Sequence, residues 1–159
     1  SSPTVRVGVF TDLGVVCERL VHHFRQCHAA FLETNYDEHL LDSGRYPYFL
    51  KNRIRGGSGH LSNHQAFELF VCHRPAFMSH LFPSHLSRDN NRPELVRDLF
   101  EGEARGTKIV IASRDHETEL YAIDGSYCGH AGTGEMMIPV RKTAPQIQKL
   151  PVTVQGSLF

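Results

Sequence analysis

Residues 4–34 constrain the fold of this chain more than any other stretch. Val5, Val7 and Val9 alternate through TVRVGVF (4–10), the two-residue period of a strand, and TDLG (11–14) ends it. Residues 15–27 then place Val16, Leu20 and Phe24 at helical spacing, and AAFLET (29–34) is a short apolar strand. Two strands joined through a helix pair in parallel, and a parallel sheet needs helices over its apolar surface. The expected class is therefore α/β. The chain enters its first strand after three residues, with no preceding element, like one beginning in the middle of a fold.

The rest of the sequence continues the alternation. A short helix closed by Gly44, a second from about Pro47 to Arg55, and a glycine-rich loop lead to Ser62 and Gln65, which are spaced as a capping box. The helix they open carries Phe67, Phe70 and Val71 and stops before Pro75. Residues 76–83 form a strand candidate, and Asn91 with Glu94 three residues on opens a helix bearing Leu95, Val96, Leu99 and Phe100. Residues 107–113 and 118–123 are expected as the last two strands, and 125–159 as a loose tail.

Composition removes several classes. Lys plus Arg and Asp plus Glu are both 17, so bulk attraction to nucleic acid or membrane is not indicated. No run of 18 apolar residues suggests a membrane span. Cys17, Cys27, Cys72 and Cys128 include no CxxC pair and read as free thiols of a cytoplasmic protein. Histidine is abundant, at 11 residues, and is both the commonest metal ligand and an acid–base at neutral pH.

His-Leu-Ser occurs twice, in GHLSN (59–63) and in SHLSRDNN (84–91), each time in a loop leading into a helix. Taken singly, His60 and His85 also read as polar loop residues, Asp12 as a turn residue, and Asn35 and Asp37 as helix caps. Together, Asp12, Asn35, Asp37, His60 and His85 all fall at element ends of a parallel-strand layout, where α/β folds assemble their sites. A carboxylate and several imidazoles at one edge suit a divalent metal, zinc or manganese.

FTDLG, LETNYDEHLLDSGRYPYFLKNRI, GHLSN and HLSRDNNRPEL, in this order, resemble the YycJ/WalJ branch of the metallo-β-lactamase fold hydrolases over residues 4–122. The resemblance implies a metal-dependent phosphodiesterase, an exonuclease acting on DNA and associated with mismatch repair. It implies that Asp12 is the metal-bridging carboxylate, His85 the last metal ligand, and His60 a catalytic group beside the scissile phosphate. Asn35 and Asp37, which the resemblance groups with His60 as catalytic residues, match a motif that usually reads Asn-His-Asp, and Tyr36 stands here in its middle. Lys51, Arg53 and Arg55, near the glycine-rich loop, read either as holders of a strand's phosphates or as the solvated charge of a helix.

The superfamily's His-x-His-x-Asp-His motif, which precedes the bridging carboxylate, is absent from these 159 residues. The resemblance thus implies, over 1–124, the C-terminal half of an αββα sandwich: a mixed sheet of about five strands, helices mainly on one face, the other face open. Catalysis by this chain alone is not expected, since Asp12 and His85 supply two ligands and a catalytic zinc has three. The final QGSLF (Gln155–Phe159) resembles the peptide by which partners bind the bacterial DNA sliding clamp. A non-catalytic module binding the clamp through this tail is the alternative function.

Overall fold

A computed structural model describes residues 4–126. The tail segment 127–159, with the expected clamp peptide and Cys128, lies outside the described residues.

Four parallel strands run in the order β1 (Val7–Phe10), β2 (Ala29–Glu33), β3 (His80–Ser84) and β4 (Lys108–Ile109). The register pairs Val9 with Phe31 and Phe31 with Phe82, so side chains two apart share a face across the sheet. One face carries Ala30, Leu32 and Leu81. It is covered by α1 (Glu18–Phe24), α4 (Asn63–His73) and α5 (Pro93–Glu101), whose Phe24, Phe70 and Phe100 are fully buried with it. Each such aromatic contributes about 1.5–3 kcal/mol from leaving water, before its ordering entropy is subtracted. Two short helices, α2 (Glu38–Ser43) and α3 (Tyr48–Arg55), lie in the long crossover from β2 to α4.

The opposite face is less covered. Val7 and Val9 of β1 are 54% and 68% exposed, and beside them Phe31 stacks on Phe82 at 4.6 Å. That is an apolar strip over which none of the helices of the described residues packs.

Two expectations are corrected. Residues 118–123 form no strand, so among the described residues the sheet has four strands, all parallel, where a mixed sheet of about five was expected. Leu120 is fully exposed, while Tyr121 packs by its ring on His80 and Phe82. The alternation of TELYAI is thus met by side-chain packing without backbone pairing. Asn91 does not cap α5: Arg92 is the N-cap, without a side-chain bond, and Pro93 opens the first turn. The amide of Asn91 is engaged elsewhere, as described below. The capping box of α4 forms as expected, Ser62 accepting from the Gln65 amide and Gln65 accepting from the Ser62 amide. No helix among the described residues is long and apolar enough to cross a membrane.

Candidate metal centre

Because the strands are parallel, their carboxyl ends share one edge, and each contributes a loop there. The TDLG loop follows β1. Glu33 is the last residue of β2, in register with Ser84, and His85 comes directly after β3. His60 arrives from the loop between α3 and α4.

Two glycines allow these loops to meet. A Cβ on Gly59 would lie 2.0 Å from the Ile54 carbonyl oxygen, and one on Gly14 would lie 2.1 Å from that of Gly57. Main chain thus packs on main chain where the GHLSN and TDLG loops approach. Asp12 and His85 both take positive φ, 57° and 58°, the left-handed conformation that Asp and His enter more readily than most residues.

The geometry is centred on Glu33, which the sequence reading did not single out. Its side chain is fully buried, and by alternation it shares the open face with Phe31. Its Oε1 lies 2.7 Å from His60 Nδ1 and 2.8 Å from His85 Nδ1. Its Oε2 accepts from the Leu13 amide at 2.7 Å and the Leu61 amide at 3.4 Å. Four donors from three loops therefore converge on one carboxylate, which is what a buried carboxylate requires. A carboxylate only accepts, so both imidazoles present Nδ1–H to it, and in the neutral form of each ring this leaves the lone pair at Nε2. The two rings stand edge to face, with centroids 5.2 Å apart. His85 Nδ1 also lies 4.0 Å from Asp12 Oδ1.

Asp12, Glu33, His60 and His85 each offer a ligand atom, and these atoms all lie within 4.8 Å of one another. The donor set fits a divalent cation: two imidazoles oriented through Nδ1 by a buried carboxylate, and beside them the exposed carboxylate of Asp12.

Asn35 and Asp37 serve the surrounding scaffold. Asn35 Nδ2 donates to the His85 carbonyl at 2.8 Å, and the Asn35 carbonyl accepts from the Ser87 amide at 2.7 Å. Asp37 caps α2, accepting from the Leu40 amide at 2.9 Å. Between them Tyr36 is buried. Burial first, then the neighbouring Glu38 carboxylate, holds its hydroxyl above the usual phenol range, so it stays neutral.

The two His-Leu-Ser loops are joined further down. Asn63, from GHLSN, and Asn91, from HLSRDNN, exchange amide hydrogen bonds of 3.0 and 2.8 Å. Asn91 Nδ2 also reaches the carbonyls of Thr34 at 2.7 Å and Asn35 at 3.1 Å, and its Oδ1 accepts from the Arg92 amide at 2.8 Å. Both side chains are buried. The pair fastens the loop carrying His60 and the loop carrying His85 to the end of β2.

Comparison with known proteins shows what the chain is similar to. The chain is 34% identical over 116 residues to a Bacillus anthracis protein named exodeoxyribonuclease YycJ, covering 72% of this chain and 44% of the relative. It is 33% identical over 88 residues to a protein of Streptococcus pneumoniae strain D39 named exodeoxyribonuclease WalJ, covering 55% of this chain and 33% of that one. The chain is YycJ/WalJ-like. It spans less than half the length of these curated relatives. No family model and no solved structure matches it.

With the YycJ/WalJ likeness in place, the expected site residues sort into two groups. Asp12, His60 and His85 stand together around Glu33, while Asn35 and Asp37 stand behind them. The signal for Glu33 was present in the sequence. An ionisable residue ending the apolar run AAFLE is costly to bury, and such a residue marks either a strand that stops or a site.

Proposed function

We propose that this YycJ/WalJ-like chain takes part in metal-dependent hydrolysis of phosphodiester bonds in DNA, as the part of an exonuclease that carries the edge with Asp12, Glu33, His60 and His85. One observation carries the reading: a buried carboxylate aligns two imidazoles beside an exposed carboxylate at the carboxyl ends of a parallel sheet. The names of the relatives support DNA as the substrate.

Asp12 and His85 would hold a divalent cation, zinc or manganese, which when bound supplies a water deprotonated near neutral pH and polarises a phosphoryl oxygen. The chain's own groups do the rest. His85 is held in one tautomer by Glu33 and in position by Asn35 at its carbonyl. His60, with Nδ1 on Glu33, takes up and returns a proton at Nε2, stabilising the departing oxygen as a carboxylate-backed imidazole does. Asn35 and Asp37 act as positioning residues.

Residues 1–124 are read as the C-terminal half of the αββα fold, with the uncovered strip at Val7 and Val9 as the surface where the other sheet would pack. This reading sets the protein in the cytoplasm, in DNA repair, and gives Gln155–Phe159 to the sliding clamp; for the last, the support is the likeness of the peptide alone.

The test is nuclease activity on linear double-stranded DNA with manganese or zinc. The chain as given should show no detectable hydrolysis. A chain completed with an N-terminal half bearing the His-x-His-x-Asp-His motif should degrade DNA, and Asp12→Ala in it should remove that activity. An inactive completed chain that is folded and metal-loaded would overturn the nuclease reading. Robust activity from the 159 residues alone, abolished by Asp12→Ala, would overturn the two-half reading.

A further inference from the structure

Lys51, Arg53 and Arg55 were the cations expected to hold phosphates, yet two of the three are already engaged. Arg55 pairs with Asp42, and Lys51 Nζ donates to the Asp42 carbonyl at 2.7 Å. A different set of cations lines a groove of about 470 Å³ that begins at Leu86 and Ser87, the residues directly after His85. Its walls carry Arg88, Arg97 and Arg114. We infer that this groove binds the phosphodiester backbone of a nucleic-acid strand, the strand whose end is presented to His85. The inference rests on the nuclease reading and adds to it the path of the substrate.

Position supports it first. Val110 and Ala112 extend the ladder of β4 by donating to the Leu81 and Pro83 carbonyls at 2.9 Å, so Arg114 lies just past the carboxyl end of that strand. That is the same edge at which Asp12, Glu33 and His85 stand. Arg114 also donates to the Leu86 carbonyl, which ties the groove wall to the residue following His85.

Charge supports it second. The chain as a whole carries 17 basic and 17 acidic residues, yet the groove sets three guanidinium groups against the single carboxylate of Asp115. Two of these guanidinium groups, those of Arg88 and Arg97, are available, while Arg114 is partly engaged at the Leu86 carbonyl. Arg97 has only the exposed Glu101 at 3.8 Å, a contact of little strength, and no ion pair among the described residues engages Arg88. Pro93, in the first turn of α5, also lines the groove, so the positive end of that helix faces it. Guanidinium groups match phosphate oxygens two at a time.

The lining also indicates which part of the strand is held. Among the described residues no aromatic side chain lines the groove, so they offer no platform on which bases could stack. Contacts limited to phosphates position a strand without reading its sequence.

The test is anisotropy of a labelled single-stranded oligonucleotide with the full chain, in EDTA, over a range of salt. Arg88 and Arg97 are exposed, so Arg88→Gln/Arg97→Gln should fold normally, which circular dichroism checks. This variant should bind at least about tenfold more weakly, with the salt slope reduced by about 0.7 for each phosphate no longer held. Lys51→Gln/Arg53→Gln should bind like the unsubstituted chain. Unchanged affinity and slope in the Arg88/Arg97 variant would overturn the groove and leave the nuclease reading standing. So would loss of binding confined to the Lys51/Arg53 variant. Displacement of the oligonucleotide by micromolar inorganic phosphate would overturn the assignment to a polymeric strand. Failure of the unsubstituted chain to bind the oligonucleotide at all would also overturn the groove, while the nuclease reading stands or falls on the activity of the completed chain.

Discussion

Glu33→Gln is expected to weaken zinc or manganese binding by the chain about 10- to 100-fold, the usual effect of losing the group that orients a ligating histidine. The shape of the side chain is kept, so the loss is one of hydrogen-bond polarity. Glu33 accepts from four donors, two on each oxygen. An amide can accept at one end only. If its oxygen faces His60 and His85, its NH2 group confronts the amides of Leu13 and Leu61. If its NH2 group faces the histidines, both rings must accept at Nδ1, and the lone pair at Nε2 is lost. In the first orientation buried donors go unpaired, at about 1–3 kcal/mol for each group left unsatisfied, while in the second the hydrogen bonds are kept at the expense of the ligating tautomer. Calorimetric titration with each metal, together with thermal unfolding of the metal-free chain, reads both effects. A Glu33→Gln variant with the affinity and stability of the unsubstituted chain would remove Glu33 from the centre of the site.

The second large effect is expected at the Asn63–Asn91 pair. Asn91→Ala should destabilise the chain by about 3 kcal/mol, since it leaves both ends of the buried Asn63 amide and the carbonyl of Thr34 without their partner. Asn63→Ala should cost somewhat less, because Asn91 keeps its bonds to Thr34, Asn35 and Arg92. The double variant should cost less than the sum of the two, by about 0.5–3 kcal/mol, as for residues in one network. Urea unfolding of the four proteins gives the coupling directly. Strict additivity would mean that the two loops are held by something other than this pair.

The sheet's parallel frame was legible because TVRVGVF, the helix around Leu20 and Phe24, and AAFLET each show one clear period, and the structure forms strand, helix and strand there. Ser62 and Gln65 were legible for the same reason: a capping box is a contact between residues three apart. What could not be read was long-range. Asn91 has the sequence context of an N-cap, but its amide is drawn to Asn63, 28 residues away, and Arg92 takes the cap position. TELYAI has the alternation of a strand, but alternation does not show whether a neighbouring strand lies within reach. Glu33 was passed over because its meaning lies in four partners from three separate loops, none of them adjacent in sequence. His60 and His85 were found because they are chemically conspicuous; the group that orients them was not.

The left-handed backbone at Asp12 and His85 has a consequence for how substitutions there should be understood. On the proposed metal-binding reading, each position places two demands on its occupant, a main chain that tolerates positive φ and a side chain that can ligate, and few residue types meet both. Alanine fails both at once, so an Ala variant mixes conformational strain with loss of a donor. Glycine fails only the second: it relieves the turn while emptying the position, and the fold can gain by it. A residue whose removal steadies the protein while disabling it is one that folding alone would not have chosen. Asparagine, which enters the left-handed region readily and keeps a similar size, separates the two demands most cleanly.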